Sequence, residues 1–248
     1  MKTIKISGIV ISENSLGDSD KMLTILTPNI GRISCVAKGA KRPKSLLMAG
    51  SQFLCFGEYI LYKSHDIYTM NSASPIELFY NIRTDLDKLN YASHITKIIN
   101  DVTTENQNNY NILKLFLNTL YTISETDKDL DFVLSVFKLR LLKILGFSPN
   151  ITECVSCNDK DNKKYFYFSI KDDGFKCRDC GRLDTSAIEI SEGTRYAIMY
   201  SIMADSKKIF SFSIRKQALV EFELVSRIYF NEKLEKEYKI EKLFKDIK

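Results

Sequence analysis

The chain has 248 residues and a formal net charge of +5, with 44% hydrophobic, 11% aromatic and 27% charged residues. This is the balance of a soluble globular protein of one to three domains. No run approaches the ~18 apolar residues of a membrane helix, which excludes a helix-spanning membrane protein. The first six residues alternate polar and apolar instead of forming the apolar run of a secretory leader, so a cytoplasmic location is expected.

Residues 1–74 carry a period of two. Segments 4–6, 9–11, 22–26, 32–38, 53–62 and 67–72 read as short strands. Turn chemistry separates them at 14–17, at 28–31 and in the stretch AKGAKRPKS, residues 37–45. About five strands in so short a segment fit a small barrel such as the OB-fold, or a small sandwich. In the third strand Ile33, Cys35 and Ala37 share one face, and Arg32, Ser34, Val36 and Lys38 share the other. Cys35 and Cys55 stand alone in apolar surroundings and are expected to be buried.

Charge is concentrated in the same region. No acidic residue lies between Asp20 and Glu58, where Lys21, Arg32, Lys38, Lys41, Arg42 and Lys44 supply six cations. The rest of the chain holds 30 basic against 31 acidic residues, so this one segment carries the whole positive excess. Such a patch points to a polyanion or an acidic protein surface, the alternative being a merely solvated basic face. Arg32, Lys38, Lys41, Arg42 and Lys44 are the candidate nucleic-acid-binding residues. Asp18, Asp20 and Lys21, in GDSDK, follow a turn and are expected to satisfy the loop and not to form a catalytic dyad.

From residue 75 to 147 the period becomes helical. Leu113, Phe116, Leu117, Leu120 and Tyr121 form one stripe, and Val133, Val136, Phe137, Leu141 and Ile144 another. Phe132, Leu139 and Leu142 fill the remaining faces of the second helix, which places it at the centre of a bundle. Arg140 falls on its stripe, either snorkelling into water or facing a negative ligand in a groove. Residues 103–111 read as a loop, and Gly146 followed by Pro149 stops the central helix. After a cysteine-bearing insert, Ser191 is a candidate N-cap, a last helix carries Leu219, Phe222, Val225, Ile228 and Tyr229, and residues 232–248 read as a helical tail.

ECVSC and CRDCG place Cys154, Cys157, Cys177 and Cys180 as two Cys-x2-Cys knuckles nineteen residues apart. Each pair chelates from a tight turn, and two pairs complete a tetrahedral S4 site suited to zinc. Residues 165–170 form an aromatic strand, Asp172-Asp173-Gly174 offers hairpin chemistry, and Gly181 fits the turn of the second knuckle. Disulfides are disfavoured in a reducing cytoplasm, and a thioredoxin-like site needs a single pair. Four thiolates close the coordination sphere, so one structural zinc is expected and no catalytic one. His65 and His94 lie too far away to serve as ligands, and no phosphate loop, dinucleotide fingerprint or hydrolase elbow is present. No catalytic residues are assigned, and the chain is not expected to be an enzyme.

The stretches GIVISENSLGDSDKMLTILTPNIGRISCVAKGAKRPKS (8–45) and VFKLRLLKILGFSPNITECVSC (136–157), with the later Cys-x2-Cys, resemble the RecO family of bacterial recombination mediators. The resemblance implies an α+β fold: an OB-fold barrel at 1–76, then an all-helical domain at 77–150 and 186–248 with a zinc finger embedded at 151–185. It implies binding of single- and double-stranded DNA, strand annealing and association with the nucleoid. It further implies partnership with RecR, recognition of the acidic C-terminal tail of SSB, and a functional link to RecA and RecF. Lys138, Arg140 and Lys143 could form a basic groove for that tail. Two other readings stay open: an RNA-binding OB-fold and zinc-ribbon factor, and a zinc-stapled adaptor that docks an acidic protein.

Overall fold

In the computed structural model, which describes residues 2–64, 67–161 and 165–240, the N-terminal alternation forms five strands. They are β1 Lys2–Leu16, β2 Asp20–Leu26, β3 Arg32–Ala37, β4 Phe56–Ser64 and β5 Ile67–Glu77. The segments expected as separate strands at 4–6 and 9–11 belong to one long β1, which pairs first with β4 and then, past an irregularity between Val10 and Ser12, with β2. A long strand that changes partner needs such a bulge to bend. β1 therefore runs through most of the expected 14–17 turn, and the reversal starts at Gly17, φ 63°. β4 begins at Phe56 and not at Phe53, because Leu54 adopts φ 62° and interrupts the extended chain.

β2 pairs with β3, β4 with β5, and a short parallel pairing of Cys35 with Tyr68 and Val36 with Thr69 closes the order β1-β2-β3-β5-β4 into a barrel. This is an OB-fold. Val10, Leu23, Ile25 and Leu61 are fully buried inside it, each worth about 1.5–3 kcal/mol. Cys35 and Cys55 are buried with them. Tyr59 fills the centre, and its hydroxyl donates to Cys55 O at 3.0 Å and Gly50 O at 3.3 Å, fastening the β3–β4 connection to the core.

Three helices follow: α1 Tyr80–Arg83, α2 Leu86–Val102 and α3 Tyr110–Glu125. Asp85 caps α2 by accepting from Asp87 N and Lys88 N. On α3, Leu113, Phe116 and Leu120 are buried as expected, whereas Tyr121 is 59% exposed and lies off the stripe. The loop between α2 and α3 grips the β2–β3 turn. Arg32 N donates to Thr104 O (3.1 Å), Asn106 N to Ile30 O (3.0 Å) and Asn109 N to Pro28 O (2.8 Å). Gly31 is pinned beneath it at φ 75°, where a Cβ would meet Thr104 O at 2.2 Å. Gly31→Ala is expected to destabilise the protein by at least about 2 kcal/mol, read as a lower urea midpoint. An unchanged midpoint would show that the loop can yield.

The chain divides into two compact units, residues 1–124 and 125–248. The second is built on α4 Leu130–Leu145, capped by Asp129 and closed by Gly146 at φ 89°. Every residue of α4 from Phe132 to Leu139 is buried, the apolar ones as their all-round pattern requires and Ser135 and Lys138 with them. It packs against α6 Glu192–Met203 and α7 Lys216–Lys233. Ser191 caps α6, its Oγ accepting from Thr194 N at 3.3 Å. Between α4 and α6 lie β6 Tyr165–Ser169, β7 Gly174–Cys177, the short α5 Arg178–Arg182 and β8 Ile188–Glu189, forming a sheet of order β7-β6-β8. Phe168 joins this ribbon to the helices, its ring 5.2 Å from Tyr229 of α7 and 5.8 Å from Phe175.

The expected helical tail at 232–248 is not formed where the structure describes it. α7 stops at Lys233, Glu235 takes φ 49°, and Tyr238 folds back to bury its ring 5.5 Å from Phe230. Burying that aromatic outweighs continuing a solvated helix; residues 241–248 lie outside the described residues. His94 is buried on α2, and His65 also lies outside the described residues. No helix among the described residues is long and apolar enough to cross a membrane.

Candidate nucleic-acid interface and metal centre

β3 alternates as its sequence predicts, with Ile33, Cys35 and Ala37 buried and Arg32, Ser34 and Val36 half-buried on the outer face. The chain then leaves the barrel in tight turns. Gly39, at φ 66°, donates its N–H to Asp20 Oδ1 at 2.8 Å, and Lys41 N donates to Ser19 O at 2.9 Å. The Gly39 N–H and the Ser19 hydroxyl hold the Asp20 carboxyl below its usual pKa, helped by the charges of Arg42 and Lys38. Asp20 thus shapes the loop, as the reading of GDSDK anticipated.

Lys38, Lys41, Arg42 and Lys44 are all exposed on this loop. The Lys41 ammonium rests on Gly17 O (3.2 Å) and Ser15 Oγ (3.4 Å), joining the loop to the β1–β2 turn. Arg32 stands at the other end of β3, where its Nη1 donates to Asn100 Oδ1 at 2.6 Å. Four candidates therefore cluster and the fifth lies one strand-length away. Lys21, a contributor to the same run of charge, is tied to Glu13 at 3.0 Å and is only 18% exposed along its side chain. Its acidic partner lies on the preceding strand, outside the acid-free segment.

The four cysteines converge. Cys154–Cys157 form a turn closed by Asn158 N on Cys154 O (2.9 Å), and Val155 N on Phe175 O (2.9 Å) ties that turn to β7. Cys177 ends β7 and Cys180 lies in α5. Their Sγ atoms all lie within 4.8 Å of one another, with Cys157 and Cys177 at 3.8 Å. Zinc–sulfur bonds of about 2.3 Å in a tetrahedron put the sulfurs about 3.8 Å apart, so the donor set fits this ion. Burial raises the Cys154 thiol, but backbone N–H groups, Cys177 N first (3.3 Å), outweigh it and bring the pKa down to about 7. Cys180 is pushed up by burial and by its sulfur neighbours, which a bound cation would reverse. Gly181 is required here by close approach: a Cβ would lie 2.1 Å from the Tyr167 ring. Lys176, buried beside the site, bridges Asp172 and Asp184 (2.6 Å to the latter) and locks the hairpin.

The structure brings Arg140 and Lys143 together and places Lys138 apart. Arg140 Nη1 donates to Ile202 O at 2.6 Å and Lys143 Nζ to the same oxygen at 2.8 Å, so both cations clasp the carbonyl end of α6. The Arg140 head is thus bonded to backbone, a role that neither sequence reading of it contained. Lys138 lies on another face, 4% exposed, with its ammonium 5.8 Å from the Phe230 ring. Burial pushes its pKa down to about 8 against the opposing pull of Glu223.

Barrel, exposed cationic loop and converging four-cysteine ribbon together define an OB-fold protein whose four thiols form a donor set fit for a metal ion. The family model described as Recombination protein O N terminal matches residues 1–79, and Recombination protein O C terminal matches residues 83–241. The chain belongs to the recombination protein O family. It is 44% identical to DNA repair protein RecO of Acetivibrio thermocellus over 238 residues, 96% of this chain and 94% of that one. It is 33% identical over 247 residues to DNA repair protein RecO of Caldicellulosiruptor bescii, covering 100% of both chains. Against DNA repair protein RecO of Bacillus subtilis it is 28% identical over 228 residues, 92% of this chain and 88% of that one. Family membership places the chain among DNA repair and recombination proteins.

Proposed function

We propose that the protein is a DNA repair mediator that binds single- and double-stranded DNA through its barrel. In this role it anneals complementary strands and, with RecR, helps load RecA onto SSB-coated single strands. The observation that carries the reading is the exposed cluster of Lys38, Lys41, Arg42 and Lys44 on a loop whose shape is set by Asp20. Cations on an OB-fold track a phosphate backbone without reading sequence, and two strands anneal only when their charge is neutralised. One structural zinc in the four-cysteine site completes the proposal. The test is annealing of complementary oligonucleotides with and without SSB, run beside matched RNA. Annealing of DNA supports the reading, equal or stronger action on RNA turns it toward an RNA factor, and no nucleic-acid binding leaves the adaptor.

Arg140 and Lys143 favour a second role, because two cations beside the 65% exposed Met203 suit an acidic peptide with an apolar end. Arg140→Ala is expected to weaken binding of an SSB tail peptide about tenfold while DNA affinity stays within about twofold. Because Arg140 also holds α6, stability falls by roughly 1–3 kcal/mol. A loss of stability with unchanged peptide affinity would leave Arg140 a purely structural clasp.

A further inference from the structure

At the end of the barrel away from the basic loop, β3 begins and the β4 and β5 termini lie beside one another, Tyr68 being the register partner of both Lys63 and Cys35. A cleft of about 180 Å³ opens there, lined by Arg32, Ser34, Lys63, Tyr68, Glu105 and Asn106. Pockets that enclose whole ligands run to roughly 300–1,000 Å³, so this one has room for a single planar ring. Its Tyr68 ring carries the Lys63 ammonium at 5.5 Å from the centroid. Arg32 Nε is buried at the edge and has no hydrogen-bond partner among the described residues. Glu105 and Asn106 are exposed, yet their backbone is fixed by the bridge of Glu105 to Gly31 and by Asn106 N on Ile30 O. A carboxylate repels phosphate but accepts from the amino and imino N–H groups of a base. The cleft is therefore cationic on one side and an acceptor for base edges on the other.

We propose that this cleft takes one unstacked base of a single strand whose backbone runs from the basic loop along β3. The base stacks on Tyr68, its edge meets Glu105 and Asn106, and the flanking phosphate meets Lys63. The six residues of β3 span about 20 Å, so loop and cleft fit within one OB-fold site of roughly 4–16 nucleotides. A paired base in a duplex cannot enter. The cleft thus gives preference for single strands, where the loop alone gives only charge. This inference rests on the DNA-binding reading above.

The test uses the full chain and a single-stranded oligonucleotide carrying 5-iodouracil, photocrosslinked and mapped by mass spectrometry. An adduct on Tyr68 is expected; adducts confined to the basic loop overturn the cleft. In parallel, Tyr68→Leu should lower single-strand affinity about tenfold, since a stacked base is lost. The salt slope and duplex affinity should not move, because stacking releases no counterions, and Tyr68→Phe should bind as wild type. A folded Tyr68→Leu protein with wild-type affinity refutes the cleft but not DNA binding. Should Tyr68→Leu fail to fold, the crosslink decides. Failure of the unaltered protein to bind any DNA would instead sink the function proposed above, and the cleft with it.

Discussion

With Lys41, Arg42 and Lys44 replaced together by Ala, the dependence of log affinity for single-stranded DNA on log salt flattens by about 2 units. Each phosphate contact contributes a slope of roughly −0.7 on single strands, so the four-cation loop accounts for about −3 and the three removed cations for most of it. The loss is uniform across sequences, since charges that meet phosphates carry no base information. Annealing falls alongside it. The fold survives, because the loop is held by bonds that the variant keeps: Gly39 N to Asp20 and the backbone N–H of residue 41 to Ser19 O. Among the described residues, what is lost is the long, exposed pair of Lys41 ammonium bonds to Ser15 and Gly17 and the minor pull of the Arg42 charge on Asp20. A variant slope equal to that of the unaltered protein would mean that the loop touches something other than DNA, and an acidic protein surface would replace it.

Cys177→Ser is expected to abolish stoichiometric zinc and lower unfolding stability by about 3–5 kcal/mol, because structural zinc binding is folding free energy. The effect reaches beyond the ribbon. Phe168 and Phe175 are buried by the hairpin that carries the second cysteine pair, and Phe168 packs on Tyr229 of α7, so a loosened ribbon exposes part of the helical core. Chelator treatment of the unaltered protein should produce the same loss, restored by added zinc. Metal analysis of freshly purified, reduced protein gives the direct check. A chain without zinc whose urea midpoint ignores chelator would show that the four thiols hold the hairpin unaided.

How much of this was legible differs from element to element. The alternation of residues 32–38 reported both faces of β3 correctly, because in a strand the face of a residue depends only on its parity. The cysteine spacing foretold the convergence of two cysteine pairs nineteen residues apart, because a two-residue knuckle and a hairpin are local geometries. The basic loop was legible as a run of charge. That run nevertheless overcounted the free cations, since Glu13 neutralises Lys21 from the neighbouring strand and Asn100 engages Arg32 across 68 positions. Lys138, Arg140 and Lys143 illustrate the same limit. They lie close in sequence on one helix, yet α7 buries the first and α6 binds the other two.

The sequence by itself determined which face of β3 is apolar, where α4 ends and α6 begins, and which four sulfurs can meet. These depend on backbone periods and on bonding between near neighbours. Only the tertiary structure decided that β3 and β5 close the barrel in parallel, that Gly31 lies under Thr104 O, and that Gly181 lies against Tyr167. The cleft that joins Tyr68 and Lys63 to Glu105 and Asn106 belongs to the same group. Each of those depends on segments that meet only after the chain has folded, where register and packing select the partner and no local pattern encodes it.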